Sequence, residues 1–310
     1  MATRTTAVGV LAASPSLIAG LGSDGASGWG VICVPASVTR DRLIRQDLAD
    51  IRKAIRAGAY DGHTAGLALG RLQCNVVILP KAFADDFKRY CLRNPKPCPV
   101  VYIGEAGEPG LRGLGDGIDI RTDVPKYFIY EAGVLSSSTK DISELWQEDF
   151  VTFAIGCSFT FEAALIAAGY RLKHVEANLT VPMFRTNLMT QEAGRFHGPM
   201  VVSMRAFPRH QMEDVVAVTE KFPHAHGGPV HVGDPSVIGI EDLGNPNWGD
   251  PTELGTDDVP AFWACGVTPQ VAIENARPPI CITHAPGRML ICDKPDVADY
   301  AGTVDDHFLS

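Results

Sequence analysis

The segment HAHGGPVHVGD, residues 224–234, places three histidines and an aspartate around a glycine-rich turn. The run Gly227-Gly228-Pro229 is typical of a sharply turning backbone, which could present His226, His231 and Asp234 together. Histidine titrates near neutrality and a carboxylate can fix its tautomer, so this group suits proton transfer. The same three side chains are weak candidates for metal ligands, although their spacing matches no standard zinc motif. A third interpretation is a turn whose histidines have only a structural role.

Two segments have the pattern of an apolar strand followed by the start of a helix. In IGCSFTFEAAL, Ser158 is a natural N-cap and Glu162 falls in or near the first helical turn. Free N–H groups and the helix dipole attract a carboxylate or an oxyanion there, and they are expected to lower the pKa of the Cys157 thiol. In WACGVTPQ, Cys265-Gly266 precedes Thr268 as N-cap, which gives a second candidate anion site. In the simpler interpretation these residues only cap helices and pack in the core.

Three polar residues lie beside apolar segments that are predicted to be strands. Arg185 and Asn187 occur in VPMFRTNL, and Arg205 occurs in MVVSMRAF. Bidentate recognition of a substrate carboxylate would satisfy each arginine. Internal salt bridges to any of the 36 acidic residues would satisfy them equally well.

The periodicity of apolar residues predicts alternating helices and strands. Residues 40–58 predict one amphipathic helix, with Thr39 as a cap and Gly58 at its end. The run LQCNVVILP predicts a buried strand that ends at Pro80, and a helix and a second strand follow it. The second half repeats the order of apolar run, glycine-containing loop and helix. This alternation indicates an α/β fold in which helices cover a sheet.

Composition narrows the class of partner. The chain has 310 residues, a formal net charge of -9 and no Lys/Arg run longer than a pair, which argues against a nucleic-acid or anionic-membrane surface. Its apolar runs are far shorter than the roughly 20 residues of a membrane-spanning helix. Eight cysteines without a CxxC pair indicate reduced thiols and a cytoplasmic location. The acid-free, Ser/Thr-rich start leaves a mitochondrial location as the weaker alternative. A small anionic substrate would need local arginines.

Eight ordered segments together resemble the hydro-lyase family that is related to the amino-terminal region of D-glutamate cyclase. They are RNPKPCP, RTDVPKY, GCSFTFEAAL, VPMFRTN, GRFHGPMVVSMR, HGGPVHVGDP, FWACGVTPQ and THAPGRM. The resemblance divides the chain into a private N-terminal segment (1–45), the family region (46–298) and a C-terminal tail (299–310). It implies an α/β fold of two interleaved parts, a three-layer sandwich around a mixed sheet and a smaller two-layer α/β part.

The resemblance also implies a reaction class. We expect a carbon–oxygen lyase or cyclase that removes water from a small amino or hydroxy carboxylic acid, with D-glutamate cyclisation to 5-oxo-D-proline as the named activity. No cofactor is predicted, although a divalent metal, Mn²⁺ or Mg²⁺, stays an alternative. Gly228 and Arg288 stand where the family more often has Ala and His. Two rival functions stay open, an enzyme of a secondary pathway with a changed substrate and a non-catalytic small-acid-binding module; a homo-oligomer is compatible with each.

For this chemistry we predict two sets of site residues, which are expected to line one cleft. The predicted catalytic residues are Cys157, Glu162, His231 and Asp234. The predicted substrate-binding residues are Ser158, Arg185, Asn187, Arg205, Thr268 and His284.

Overall fold

The structure is a computed structural model that describes residues 37–296. The predicted C-terminal tail, residues 299–310, and most of the predicted N-terminal segment, residues 1–45, lie outside the described residues.

The described residues form seven α-helices and eleven strands in two sheets. The helices are α1 Arg40–Leu43, α2 Leu48–Arg56, α3 Lys81–Arg93, α4 Phe159–Ala167, α5 Lys173–Glu176, α6 Met212–Glu220 and α7 Thr268–Ala276. The strands are β1 Arg71–Pro80, β2 Val100–Ile103, β3 Tyr127–Glu131, β4 Val134–Thr139, β5 Phe150–Gly156, β6 Met183–Met189, β7 Pro199–Pro208, β8 His231–Val232, β9 Asp258–Ala264, β10 Ile280–His284 and β11 Leu290–Pro295. Short 3-10 helices occupy Ser143–Leu145, Arg209–Gln211, Pro223–Ala225 and Pro235–Ile238.

The single helix predicted for residues 40–58 is wrong, because the chain forms two helices there. The first ends at Leu43, and Ile44, which one continuous helix would place on the same buried face as Ile51 and Ile55, is 43% exposed. Asp47 starts the second helix, where its carboxylate accepts a hydrogen bond from the Asp50 N–H at 2.9 Å. Thr39 makes no side-chain cap. A strong N-cap inside the periodic segment therefore outweighed the continuity of the apolar pattern.

The larger sheet has seven strands in the order β2-β5-β1-β10-β3-β4, and β11 also pairs with β1. The central strand β1 is buried over nearly its whole length, as its apolar run predicted. On one face Val77 and Leu79 pack with α3 and α7, and on the other Val76 and Ile78 pack against residues 111–124. Phe87 of α3 is fully buried; truncating such an aromatic side chain typically costs about 3–5 kcal/mol.

The smaller sheet has four strands in the order β6-β7-β9-β8. Helices α4 and α6 cover one face through a cluster that includes Phe161, Val215 and Trp263. Ile238 and Ile240 cover the opposite face, which carries Met204 and Phe262. One face of this sheet is therefore covered by helices α4 and α6, and the other by the loop that carries Ile238 and Ile240.

The α/β class is confirmed, with helices packed on two sheets. In detail the sheets differ from the expected mixed sheet, because all strand pairs between residues 37 and 296 run antiparallel. Within the same residues no helix combines the length and apolar character needed to span a membrane.

Candidate active site

The carboxyl ends of β5 and β9 meet where the two sheets join. Strand β5 ends at Gly156 and leads through Cys157 into α4, and β9 leads through Cys265 into α7. Asn75 of β1 lies between these ends: its side-chain amide donates to the Gly156 carbonyl at 2.7 Å, and a Cβ on Gly266 would overlap the same amide. One buried amide group thus contacts both chain segments.

A buried ion-pair network anchors the start of α4. The Arg205 guanidinium donates from Nε to Glu162 Oε1 at 2.9 Å and from Nη2 to the same oxygen. It also donates to Ser203 Oγ at 2.9 Å and to Ser158 Oγ at 3.0 Å. On its other side Glu162 Oε1 lies 3.0 Å from His174 Nε2. The network therefore links α4, α5 and β7, and Arg205 holds the Ser158 hydroxyl within it.

Glu162 is ionised in this network. Burial alone would raise the pKa of its carboxyl, but Arg205 and His174 outweigh burial and lower the pKa to about 2. The Arg205 guanidinium lies over the rings of Phe161 and Trp263, at 4.9 and 5.5 Å from their centroids. Removing one partner of such a buried pair typically costs about 3–5 kcal/mol, because the other charge stays buried. This geometry suits a positioning role for Glu162 better than the predicted role in proton transfer.

His226 is a second buried histidine close enough to this network for the Arg205 charge to affect its pKa. Its Nδ1 lies 2.8 Å from the Lys96 carbonyl oxygen, and its Nε2 is buried without a hydrogen-bond partner. Burial is the largest cause that lowers its pKa to about 4, and Arg205 lowers it further. The ring is therefore neutral at physiological pH, with Nδ1–H donating to the carbonyl and the Nε2 lone pair free to accept a proton.

The backbone around His226 is shaped for this position. His226 has a φ of 78°, a left-handed conformation that is uncommon for a residue with a Cβ. The His224 carbonyl presses on Gly156, where any Cβ would overlap it. Unusual backbone of this kind concentrates at functional sites.

The two thiols at the strand ends are protonated. Burial raises the pKa of Cys265 to about 11, and it raises the pKa of Cys157 well above its ordinary value. The expectation that the helix start lowers the pKa of Cys157 is wrong, because burial outweighs the nearby Phe159 N–H. Cys157 is thus suited to donate a proton rather than to act unaided as a nucleophile.

His231 and Asp234 lie away from this cluster. Arg205 pairs across the sheet with Ala261, and His231 pairs with the next residue, Phe262, so the two side chains point to opposite faces. His231 Nε2 contacts the backbone carbonyl of Asp234 at 2.7 Å, and the ring stacks on Phe262. The Asp234 carboxylate instead accepts from the Ser236 N–H at 2.9 Å. The expected single cleft does not include these residues.

Arg185 and Asn187 also lie apart from the network. Arg185 forms an ion pair with Glu274 at 2.9 Å and lies over the Trp248 ring. Its side chain is 42% exposed. Asn187 donates to the Val237 carbonyl at 3.4 Å. The alternative of internal partners therefore describes Arg185 as well as Arg205.

Thr268 and His284 are buried near the strand ends. Thr268 Oγ1 accepts from the Val201 N–H at 3.0 Å and donates to the Cys265 carbonyl at 2.7 Å, which fixes the turn before α7. His284 Nδ1 accepts from the Val76 N–H at 3.1 Å, and its Nε2 has no partner. Burial lowers the pKa of His284 to about 4, so this ring is neutral too.

The weak metal candidates do not form a ligand set. His226 Nδ1 is bound to the Lys96 carbonyl. His231 contacts the Asp234 backbone on the face of the smaller sheet opposite to Arg205. Over residues 37–296 no group of three or more His, Cys, Asp or Glu side chains is arranged to hold a metal ion.

A cavity of about 580 Å³ opens beside the ion-pair network. It is lined by Lys173, His174, Leu179, Thr252 and Glu253, among others. His174 forms part of its wall and contacts Glu162 on the inner side. The network is thus one side chain away from an open cavity.

Three residues of the cluster escaped the sequence analysis. Asn75 is a polar residue inside the apolar run LQCNVVILP, and Ser203 lies two residues before Arg205 on the same strand. A polar residue in a buried strand needs a hydrogen-bond partner, so the position of these two residues in apolar runs could have identified them as members of a polar cluster. His174 lies in a short helix without any comparable pattern.

Comparison with known proteins places the chain in a family. A family model described as D-glutamate cyclase matches residues 151–293. A protein from Dinoroseobacter shibae is 56% identical over 83% of this chain and 86% of its own length, and one from Ruegeria pomeroyi is 56% identical over 85% and 96%. A protein from Thermoanaerobacter sp. is 50% identical over 80% and 94%. All three carry the name "Putative hydro-lyase".

The chain belongs to this hydro-lyase family, which is related to D-glutamate cyclase. The predicted resemblance is therefore confirmed, and the chain is an enzyme of the lyase or cyclase class. Among solved structures, a nitrogen repressor-like protein from Methanococcus jannaschii aligns with 81% of this chain and 98% of its own at 13% identity. The TM-score of 0.34 is too low for that likeness to inform the fold.

Proposed function

We propose that the enzyme removes water from a small carboxylic acid that carries an amino or a hydroxyl group. Family membership supports the lyase class, and the name of the matched family suggests ring closure of D-glutamate as one form of the reaction. The observation that carries the proposal is the free Nε2 of a buried, neutral His226 beside the network that fixes Ser158.

Loss of water needs a base, support for negative charge on an oxygen, and an acid that protonates the departing oxygen. In our proposal His226 Nε2 is the base. The Ser158 hydroxyl accepts from Arg205, so its own O–H is left to donate to a substrate oxygen at the start of α4. The helix dipole supports charge at the same point. The protonated Cys157 thiol is the acid.

Arg205 and Glu162 act through Ser158 in this proposal. The guanidinium is committed to Glu162, Ser203 and Ser158, so it does not provide the free fork that a substrate carboxylate would need. Its charge still favours an anionic substrate close by. A small anion suits a site whose polar groups are buried and few.

The test is a substrate panel with the purified full-length chain. We expect one of D-glutamate, L-glutamate, malate or tartrate to give a product that is lighter by one water, detected by mass spectrometry. A Ser158→Ala variant should then turn over more slowly by a factor of about 10²–10³, the usual cost of one lost oxyanion donor. Addition or chelation of Mn²⁺ and Mg²⁺ in the same assay tests the metal alternative. Absence of water loss from every acid of this class would contradict the proposal.

A further inference from the structure

Cys157 and Cys265 occupy equivalent positions at the two strand ends. Each follows a buried strand, and each lies two residues before a backbone N–H, of Phe159 or Val267, that interacts with its sulfur. Both residues are nearly inaccessible, at 6% and 7% exposure, and the two thiols interact electrostatically with each other.

The contacts of Asn75 bring these two positions together. Its amide group donates to the carbonyl of Gly156, directly before Cys157, and leaves no room for a Cβ on Gly266, directly after Cys265. Thr268 fixes the second turn by its bond to the Cys265 carbonyl. The two thiols are therefore held at facing strand ends by buried hydrogen bonds.

A separate observation indicates that this place receives a ligand. His226 Nε2 is a buried polar atom without a hydrogen-bond partner, on a ring that is 1% exposed and whose other nitrogen faces the Lys96 carbonyl. Buried polar atoms in native proteins normally have partners, so an unpaired one calls for an explanation. A proton that this nitrogen accepts during the reaction supplies that explanation.

We propose that Cys265 is a second catalytic residue, facing Cys157 across the substrate, and that the pair removes hydrogen from one carbon and hydroxyl from its neighbour. This inference rests on the proposed function and deepens it. It assigns the reaction to elimination across a carbon–carbon bond rather than to ring closure, so the substrate is a hydroxy acid with a hydrogen on the adjacent carbon.

Every proton in this step has a donor and an acceptor. His226 Nε2 takes the proton of the Cys265 thiol, and the resulting thiolate takes hydrogen from the substrate carbon. The electron pair of that C–H bond forms the C=C bond, while the C–O bond breaks and the oxygen leaves as water with the proton of Cys157. The proton on His226 then restores the Cys157 thiol. Burial raises the pKa of Cys265 to about 11 and raises that of Cys157 further, which makes Cys265 the better choice for the base.

The experiment follows C–H exchange and water loss separately. D-glutamate, D- and L-malate and tartrate are incubated in D₂O with wild-type protein and with the Cys157→Ala and Cys265→Ala variants. Cys91→Ala is the matched control, because Cys91 is equally buried but lies in α3. Deuterium in the recovered acid is measured by NMR, water loss by mass, and folding by circular dichroism.

We expect Cys265→Ala to lose both exchange and water loss by a factor of about 10²–10⁴. Cys157→Ala should lose water loss but keep exchange, because the carbon-deprotonating thiol stays in place. Wild-type rates in Cys265→Ala, or a product that retains every substrate C–H bond, would overturn the pair while leaving the proposed function intact. If no acid loses water, the proposed function fails. Deuterium exchange at the substrate carbon then tests the cysteine pair separately: exchange that depends on Cys265 supports the pair, and absence of exchange overturns it.

Discussion

At the scale of single residues, two histidines of one loop have different environments. His226 is 1% exposed and has a free Nε2, whereas His231 is partly exposed and bound to a backbone carbonyl. We expect His226→Asn to lower turnover by a factor of about 10²–10⁴, since the base is removed. His231→Asn, the matched control from the same loop, should keep turnover close to that of the wild type. Steady-state kinetics on the substrate found in the panel measures both.

The stability of the two variants separates chemistry from folding. His231 loses a partly exposed hydrogen bond, which is worth about 0.5–1.5 kcal/mol. His226→Asn should retain the native circular dichroism spectrum, because Asn can still donate to the Lys96 carbonyl. A variant of His231 that loses turnover while His226→Asn stays active would restore the original assignment of the base.

The sequence could identify the loop that carries the histidines, but not which histidine lies beside the Arg205 network. The choice depends on the register between β8 and β9, in which His231 lies opposite Phe262. A shift of one residue would turn His231 toward the face that carries Arg205. Register of this kind is set by packing between distant segments, and it leaves no trace in the local pattern of residues 224–234.

At the scale of elements, close packing of the 224–226 turn on the end of β5 requires glycine. A Cβ on Gly156 would overlap the His224 carbonyl oxygen, and a backbone atom cannot swing away as a side chain can. We expect Gly156→Ala to displace the turn, to lower the free energy of unfolding by about 1–3 kcal/mol or more, and to lower turnover through His226. Chemical denaturation and kinetics test this.

Gly104→Ala is the matched control for this prediction. A Cβ on Gly104 would meet its nearest atoms, of Leu111 and Thr152, at 3.6 Å, which is ordinary van der Waals contact. This variant should change the free energy of unfolding much less than Gly156→Ala does. Equal losses in the two variants would show that the turn does not depend on close approach to β5.

Local signals predicted elements well where they were unambiguous. The apolar run of β1 and the helix α3 after Pro80 follow from composition and turn chemistry. Helices also begin close to residues 158 and 268, but the predicted caps are wrong, because Ser158 Oγ bonds Arg205 and Thr268 lies inside α7, where its Oγ1 bonds the Cys265 carbonyl. The break at Asp47 did not, because a periodic apolar stripe continues through it. Two competing local signals cannot be ranked without the packing of Leu43 and Ile51 in the tertiary core.

At the scale of the whole molecule, alternation of strands and helices predicted the α/β class, but strand order was not accessible. Strands β1 and β5 are 70 residues apart in sequence and yet pair along seven residues, from Cys74 with Gly156 to Pro80 with Phe150. Convergence of Asn75, Ser158, Arg205 and Cys265 follows from that order. The sequence could therefore name Ser158, Arg205 and Cys265, but neither Asn75 nor which of the named residues lie together.

Buried titratable groups predict how the whole molecule responds to acid. His226 and His284 have pKa values near 4 in the fold, lowered from 6.5, so the unfolded chain takes up protons first and stability is lost as the pH falls from about 6.5 to 4. Each histidine accounts for a loss of about 3 kcal/mol in the free energy of unfolding once the pH has fallen below 4. Glu162, with its pKa lowered from 4.5 to about 2, contributes stability that is lost below pH 4.5. Asp296 acts oppositely, since its pKa is raised from 3.8 to about 6 and its contribution is lost as the pH rises through that range.

Urea unfolding at several pH values between 7 and 4.5 tests this linkage in His226→Asn against the wild type. The variant lacks one titrating group, so its free energy of unfolding should fall less steeply toward acid, and the two curves should converge or cross below pH 6. His231→Asn is the control, because His231 lies partly exposed on the other face of the smaller sheet. Parallel curves for wild type and His226→Asn would mean that His226 is charged or solvated in the fold, and they would remove the neutral base from the proposed reaction.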